Sequence, residues 1–426
     1  LNDPPLSEPL LNEPRLNEPR LHPIAAEQRL KSIDIIRGTA LLGILVMNIQ
    51  SFSMVAAAYR NPLVFGDLNG INGAVYYVSH VFADQKFMTI LALLFGVSVQ
   101  MQHAQRVTTE DHRSTFHYRR MAILGIFGLL HAYLLWHGDI LFMYAVAGAI
   151  AYMARHQSPR CLIYWALALI TINAFIIHIP ALPDAYLGHT DLRQLIGEWQ
   201  PTQHAIDGEI ITNLSGWLAQ SEQRHAKASS ALVTTVFYQP RVIGLMLIGM
   251  ALSKTGFFHR RFNNRQTLLP SFGLLMLATA LSIWGLMRML DANFPSAAMF
   301  PQTTYWCSLA LAGSYIGGLL ALCQSRRFMH LQKALANLGS LSLTNYLSQS
   351  LICCGIFYGW GLGQFGSFTR AEQLLLVVAI WGFQLAFSNL WVRSFHYGPV
   401  EWLWRALSYG ARPPMYKTAN PSAPSV

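Results

Sequence analysis

The chain has 426 residues, of which 53% are hydrophobic and only 12% are charged. Soluble domains carry roughly 25% charged residues, so this composition excludes an ordinary soluble enzyme and indicates a protein whose solvent is the lipid bilayer. The formal net charge of +10 does not indicate a nucleic-acid partner, because the basic residues form short clusters between apolar runs, as they do in membrane proteins.

Residues 1–28 are a polar segment that starts with a degenerate five-residue repeat, LNDPP, LSEPL, LNEPR and LNEPR. A proline in nearly every repeat prevents a regular helix, so a disordered tail is expected. No apolar run follows a basic start, as a cleavable signal peptide would require, and the first membrane span is expected to act as an uncleaved anchor. The remainder is predicted to be one transmembrane domain, 29–410, and a flexible C-terminal tail, 411–426.

Apolar runs of about 20 residues follow the first tail, each long enough to cross roughly 30 Å of hydrocarbon as a helix. They predict an all-α fold, a polytopic membrane helical bundle with about ten transmembrane helices. A short amphipathic piece at 70–83 is expected on the membrane surface, and 181–231 is a long polar loop. The predicted spans are 34–57, 85–104, 119–136, 139–155, 161–180, 232–253, 267–289, 304–324, 338–360 and 371–394.

Basic residues predict the orientation of this bundle, because the cytoplasmic segments of membrane proteins are enriched in Lys and Arg. Segments on the side of the N-terminus hold 22 of the 30 Lys and Arg, the opposite segments hold 7, and Arg241 lies inside a span. Both termini are therefore predicted to be cytoplasmic, the number of spans is predicted to be even, and the loop 181–231 is predicted to be external.

The third predicted span carries Arg120 and His131. They are eleven residues apart, which at 100° per residue comes within about 20° of three full turns of helix. The two side chains therefore lie on one face, roughly 16 Å apart along the helix axis. A histidine at that depth serves as base or nucleophile, and Asp139 in the following turn would orient it as in a catalytic triad. A histidine that only bonds a neighbouring helix is the alternative. A metal at His137 and Asp139 would have too few ligands, so no metal is expected.

The first predicted span has a parallel arrangement. Asp34 and Arg37 share one face at the cytoplasmic end, and Asn48 follows Arg37 by eleven residues, which places the amide above the guanidinium. Arg37 and Asn48 are therefore candidate substrate-binding residues. A juxtamembrane anchor and a helix-packing amide are the alternative.

Arg241 lies in the middle of the sixth predicted span, directly after Pro240. A charged side chain is costly inside a membrane, and proline removes a helix hydrogen bond, so a broken helix that lines a cavity is expected. We predict that Arg241 points into the bundle, toward the cavity that contains His131. Its predicted partner is Asp139 or Asp84, directly or through water.

The ninth predicted span contains LSLTNYLSQSL, in which Ser342, Asn345, Tyr346 and Gln349 recur at helical spacing. A polar stripe on an apolar helix forms hydrogen bonds between helices or lines a substrate cavity. The second interpretation makes Asn345 and Gln349 substrate-binding candidates.

Several segments resemble one family in the same order along the chain. RLKSIDIIRGTALLGILVMNI looks like the opening of the YeiB-like bacterial inner-membrane proteins, and DQKFMTILALLFG, HGDILFMYAVAG, GSLSLTNYLSQS and FHYGPVEWLWRALSY look like its later motifs. The resemblance runs from about residue 29 to 410 and excludes the N-terminal repeats. It implies a multi-pass protein of the bacterial inner membrane.

The YeiB-like family is similar to the wider transmembrane acyltransferase superfamily, which includes heparan glucosaminide acetyltransferases and bacterial glycan O-acetylases. In the latter, a basic residue, ten intervening residues and a histidine form a functional motif, and Arg120 with His131 fits this spacing. The resemblance implies a cytoplasmic acyl-CoA co-substrate, whose phosphates Arg37, Arg119 and Arg120 would meet. Glycan O-acetylases often have a second histidine in the first span, where this chain has Asn48 at a comparable depth.

The resulting hypothesis is a membrane-embedded acyltransferase that moves an acyl group, acetyl above all, from acyl-CoA to an envelope glycan or lipid. His131 would act as general base or transient acyl acceptor, Asp139 would tune it, and Arg120 would help to hold the donor. The alternative is a transporter or permease with a midplane site near Arg241, although no inverted repeat is detectable. A structural or assembly protein is a third alternative.

Overall fold

The computed structural model describes residues 31–104, 110–176, 200–259, 264–290 and 299–417, and these are mostly α-helical. The N-terminal repeats, and the prediction of disorder made for them, lie outside the described residues. The helices are α1 (Lys31–Ser53), α2 (Ala57–Arg60), α3 (Ile71–Phe82), α4 (Lys86–His103), α5 (Glu110–Leu134), α6 (Leu141–Ala151), α7 (Pro159–Ile176), α8 (Gln203–Asn213), α9 (Ser221–Lys254), α10 (Asn264–Leu290), α11 (Met299–Gln324), α12 (Met329–Ser340), α13 (Ser342–Phe357), α14 (Arg370–Ser394) and α15 (Pro399–Tyr409).

The predicted helical bundle is confirmed, and each of the predicted spans falls on helix within the described residues. Seven helical stretches there are long and apolar enough to cross a membrane by length and composition. The other three predicted spans correspond to α5, to the short α6 and to the pair α12 and α13. The amphipathic piece at 70–83 is α3, which one of the seven stretches joins to α4. The chain is therefore a multi-pass membrane protein.

Helices α7, α10 and α14 form the outer surface of the bundle. Large apolar side chains on them are exposed, for example Tyr164 and Phe175 on α7 and Leu375 on α14. A contiguous apolar exterior is costly in water but matches a bilayer. These helices are therefore the lipid-facing ones.

Two close helix crossings hold the centre of the bundle together. At one of them, Gly38 of α1 lies against the backbone of α12 next to Gly339. At the other, Gly249 of α9 contacts the backbone of Leu93 on α4, and Gly96 contacts Met246 in return. Each glycine lacks the Cβ that would keep the backbones apart, which is how helices associate closely in membranes.

The helix break lies in a different span from the one expected. The sixth predicted span is a single helix, α9, which runs from Ser221 through Pro240 to Lys254, so the expectation of a broken helix there is wrong. The ninth predicted span is interrupted instead, at Leu341 between α12 and α13. A long-range contact with Glu401 of α15 caps the helix that begins after this break.

The polar loop and the C-terminal tail contain more structure than expected. Part of the loop 181–231 is helical, since α8 and the start of α9 fall within it, and its residues 181–199 lie outside the described part. In the described part of the C-terminal tail, Tyr416 pairs with Phe395, and the indole of Trp402 donates to the carbonyl of Pro413 at 2.9 Å. Residues 411–417 are thus held against α14 and α15.

Candidate functional site

A cavity of about 280 Å³ lies at the end of the bundle where α1 and α5 begin and α4 ends; we call it the inner cavity. This end is the predicted cytoplasmic face. The cavity wall combines aromatic and aliphatic side chains with four arginines and two acids. The charged lining residues are Asp34, Arg37, Arg113, Arg120, Glu401 and Arg405.

Arg37 and Arg120 reach this cavity from different helices, as the predicted donor site requires. The guanidinium of Arg37 donates to Asp34 at 2.8 Å and to Ser98 on α4 at 3.3 Å. Arg120 lies over the ring of Trp404 on α15, at 4.4 Å from its centroid. Arg119 is exposed and does not line the cavity, so the structure does not bring it to the other two.

His131 and Asp139 form a buried hydrogen-bonded pair. The ring nitrogen Nδ1 of His131 lies 2.9 Å from one carboxylate oxygen of Asp139, and the two side chains are only 1% and 3% exposed. The other oxygen of Asp139 accepts the backbone N–H of Phe142 at 2.7 Å, which fixes the carboxylate at the start of α6. The second ring nitrogen, Nε2, is buried without a hydrogen-bond partner among the described residues.

Tyr346 separates this pair from the inner cavity. Its ring centroid lies 5.3 Å from that of His131, and its side chain lines the cavity together with Ile140. The hydroxyl donates to the carbonyl of Gly138 and accepts the N–H of Ile140, both at 3.3 Å. The turn that carries Asp139 is thereby tied to α13.

A second cavity, of about 210 Å³, lies at the opposite end of the bundle; we call it the outer cavity. Trp136 lies between the outer cavity and His131. The centroid of its indole is 6.3 Å from the ring centroid of His131 and 5.7 Å from the ring centroid of His137, and His137 lines the outer cavity. His131 lines neither of these two cavities but lies in the partition between them. The other lining residues are Ser51, Met54, Ala56, Tyr59, Glu209, Asn213, Lys227, Tyr358 and Phe365.

Arg241 is 1% exposed and points into the bundle, but its direct partners are neutral. It donates to Gln85 at 2.8 Å, to Thr89 at 3.2 Å and to Ser308 at 2.6 Å. Its guanidinium also lies 4.1 Å from the ring centroid of Tyr305. It lines neither cavity, so the prediction that it faces the cavity of His131 is wrong.

The predicted acidic partners of Arg241 bond other groups. Asp139 is hydrogen-bonded to His131, and Asp84 accepts a hydrogen bond from the hydroxyl of Tyr59 at 2.9 Å. Asp84 is 6% exposed, and Lys86, which is fully buried, donates to the carbonyl of His80 at 2.9 Å. Gln85, between them, has a φ of 61°, a left-handed conformation that non-glycine residues rarely adopt, and it aims its amide at Arg241.

The polar stripe of the ninth predicted span is used for packing. Asn345 donates to Ser388 at 2.9 Å and Gln349 to Gln384 at 2.9 Å, so both side chains connect α13 to α14. Neither of them lines the two cavities, and Asn48 lines neither of them. Of the two interpretations of the stripe, hydrogen bonding between helices fits Asn345 and Gln349, whereas Ser342 and Tyr346 line the inner cavity.

Glu401 is a site residue that sequence reasoning missed. Its carboxylate accepts the N–H groups of Leu343 and Thr344 at 2.6 and 3.0 Å and the hydroxyl of Thr344, and so caps the N-terminus of α13 at the helix break. Burial raises the pKa of Glu401, and these hydrogen bonds oppose the rise. The only sequence signal was its place in the motif FHYGPVEWLWRALSY.

Metal binding has no geometric support in the described part of the chain. No group of three or more His, Cys, Asp or Glu stands close enough there to hold a metal ion. The cysteines at 161, 307, 323, 353 and 354 are free thiols in apolar surroundings.

Comparison with known proteins finds relatives along most of the chain. The model of a family of proteins of unknown function, DUF418, matches residues 252–411. The uncharacterized protein YeiB of Escherichia coli (strain K12) is 30% identical over 411 residues, which cover 92% of this chain and 100% of YeiB. The uncharacterized protein YxaH of Bacillus subtilis (strain 168) is 24% identical over 93% of this chain and 98% of its own length.

Proposed function

The chain belongs to the YeiB-like family, and from this premise we propose that it is a membrane-embedded acyltransferase. An acyl group, acetyl above all, is transferred from a cytoplasmic acyl-CoA to an envelope acceptor at the opposite face of a bacterial inner membrane. The observation that carries the proposal is the buried pair of His131 and Asp139, which lies in the partition between the inner and outer cavities.

The inner cavity suits the donor because its charge and its apolar wall match the two ends of an acyl-CoA. Arg37, Arg120 and Arg405 line it, and guanidinium groups bind phosphate through paired hydrogen bonds. Toward Ile140 and Tyr346 the lining becomes apolar, which suits the thioester end. Phosphates at the mouth would thus place the thioester next to Tyr346.

The chemistry follows from the free nitrogen of His131. The carboxylate of Asp139 accepts a hydrogen bond from Nδ1–H of His131, so Nε2 carries a lone pair and can take the proton of an acceptor hydroxyl. The hydroxyl oxygen then forms a bond to the thioester carbonyl carbon, the carbon–sulfur bond breaks, and the proton on Nε2 passes to the leaving thiolate. Free CoA and the acyl ester are the products. The side chain of Tyr346 must move aside to admit the thioester.

The test is transfer of labelled acetyl by the purified protein in liposomes, with radiolabelled acetyl-CoA inside and delipidated envelope material outside. His131→Ala is expected to abolish transfer while leaving acetyl-CoA binding unchanged. His330→Ala, an exposed position outside both cavities, is the matched control and should keep full activity. Equal transfer by His131→Ala and the control would refute the assignment of His131.

A transporter is a second candidate, favoured by one observation. Two cavities at opposite ends of the bundle converge on a thin partition at Tyr346 and Trp136, which is also the arrangement of an alternating-access protein. Arg241, the residue on which that hypothesis first rested, lines neither cavity. Uptake of envelope metabolites by sealed proteoliposomes without acyl-CoA and without any acylated product would favour the transporter.

A further inference from the structure

The outer cavity has a chemical character that the proposed function leaves undefined. Its polar wall presents a hydroxyl, an imidazole and an ion pair, contributed by Tyr59, His137, Glu209 and Lys227. Its other wall contains the rings of Tyr358 and Phe365, whose centroids are 6.2 Å apart. A lining that combines aromatic rings with hydrogen-bonding groups is suited to a ring that has hydroxyls on its edge and C–H bonds on its face.

The charges in this cavity cancel. The ammonium of Lys227 lies 2.7 Å from the carboxylate of Glu209, which also accepts the N–H of Ala56. Burial, and after it the charge of Lys227, lowers the pKa of His137 to about 4, so the imidazole is neutral at physiological pH. A neutral ligand leaves this balance intact, whereas a charged ligand would add an unpaired charge beside partly buried groups.

The size of the cavity is sufficient for a single sugar ring. Its volume of about 210 Å³ is many times the roughly 10–15 Å³ that a single water molecule requires. One sugar ring fits such a space.

We propose that the outer cavity binds one neutral pyranose unit, with Glu209 and Lys227 bonding its hydroxyls and Tyr358 and Phe365 covering its face. Its role as the acyl acceptor rests on the proposed function; its binding does not. The acceptor class is then a neutral glycan, and the hydroxyl to be acylated lies toward His137 and Trp136, on the side of His131.

The binding test uses the full chain in lipid nanodiscs and three probes, measured by saturation-transfer NMR. Methyl β-glucopyranoside is neutral, methyl β-glucuronide has the same ring with one negative charge, and cyclohexanol is a ring with a single hydroxyl. We expect saturable binding of the glucoside and at least tenfold weaker binding of the other two. Cyclohexanol binding as tight as that of the glucoside, or no saturable binding of the glucoside, would overturn the proposal.

A charge variant separates specific recognition from a folding defect. Glu209→Gln leaves the charge of Lys227 uncompensated, so the preference should shift from the glucoside toward the glucuronide by at least tenfold. Glu222→Gln is the matched control, because Glu222 is exposed in the same external segment and outside the cavity, and it should leave the preference unchanged. An unchanged preference in Glu209→Gln would refute the site.

The same variant distinguishes failure of this site from failure of the proposed function. Glucoside binding with the expected charge shift, but no acetyl label on any sugar, would keep the site and refute the acyltransferase. Acetyl transfer to envelope glycan with an acceptor KM that Glu209→Gln does not change would keep the acyltransferase and refute the role of this site in binding the acceptor.

Discussion

Asp139→Asn is the sharpest perturbation of the proposed catalytic pair, because it removes a charge and almost no volume. In the protein, one oxygen of Asp139 faces Nδ1 of His131 and the other accepts the N–H of Phe142. An asparagine has one acceptor oxygen, which the backbone N–H of Phe142 will hold. Its NH₂ group then faces His131, and Nδ1 must become an acceptor, which places the imidazole proton on Nε2.

The size of the effect follows from this change of tautomer. A proton on Nε2 leaves the base without a lone pair, and in serine-protease triads the same substitution lowers kcat by about 10⁴-fold. We expect a loss of about 10³ to 10⁴ in kcat, which corresponds to about 4 to 5.5 kcal/mol in activation free energy. The number of hydrogen bonds is retained, so the free energy of unfolding should change by only about 1 kcal/mol.

The assay is initial-rate acetyl transfer, with kcat and the KM for acetyl-CoA measured separately. The KM should stay the same, because Asp139 does not line the inner cavity. Asp207→Asn, at an exposed position on α8, is the control and should match the parent protein. A kcat within tenfold of the parent value, or a loss that appears only in KM, would refute the assigned role of Asp139.

Three further predictions concern parts of the molecule away from the pair. Burial raises the pKa of Glu401 in the folded state. The stability that Glu401 contributes is therefore lost as pH rises from the pKa of the unfolded state through the pKa of the folded state. Glu401→Gln should flatten the dependence of Tm on pH over that range. Arg241→Leu should change the free energy of unfolding by no more than about 2 kcal/mol, because two effects oppose each other. The loss of a donor to Gln85 destabilises the fold by about 1–3 kcal/mol, and the removal of a charged group from the membrane stabilises it by at least about 2.5 kcal/mol. Ala205→Cys and Arg260→Cys, each in a background without other cysteines, should react with an impermeant thiol reagent from opposite faces of the membrane.

Each of these outcomes can fail in a specific way. If the Tm of Glu401→Gln keeps the pH slope of the parent, another group titrates there. Loss of folded protein in Arg241→Leu would show that the guanidinium is required for folding, and a raised KM for acetyl-CoA would show that it reaches the donor site. Labelling of both cysteines from one face would overturn the predicted orientation.

The fold was predictable where the signal is local. Apolar runs of membrane-spanning length located the helices, since a helix in lipid must satisfy its own backbone hydrogen bonds. The contact between His131 and Asp139 was also predictable, because one short turn separates the two residues. Pro240 was misleading, since a proline marks a lost hydrogen bond and does not by itself break a helix that neighbouring helices hold on both sides.

The rest depended on distances that sequence spacing does not contain. The break at Leu341 has no proline and is stabilised by Glu401, which is distant in sequence. Arg241 was expected to need an acid, yet it is satisfied by an amide and a hydroxyl at the start of α4 and by a hydroxyl and a ring on α11. Asn345 and Gln349 carry no sequence mark that distinguishes a packing amide from a binding one.

The buried charges of Arg241, Lys86 and Asp84 have a consequence for ion permeation. Two cations against one carboxylate give this part of the bundle interior a positive potential, as a single arginine does in water channels that exclude protons and cations. A sodium ion or hydronium ion that entered between α4 and α9 would meet repulsion from these charges, and about 12 Å further along α9 the close backbone contact at Gly249 leaves little room for water. The bundle can therefore hold cavities at both of its ends without becoming a leak that dissipates the membrane potential.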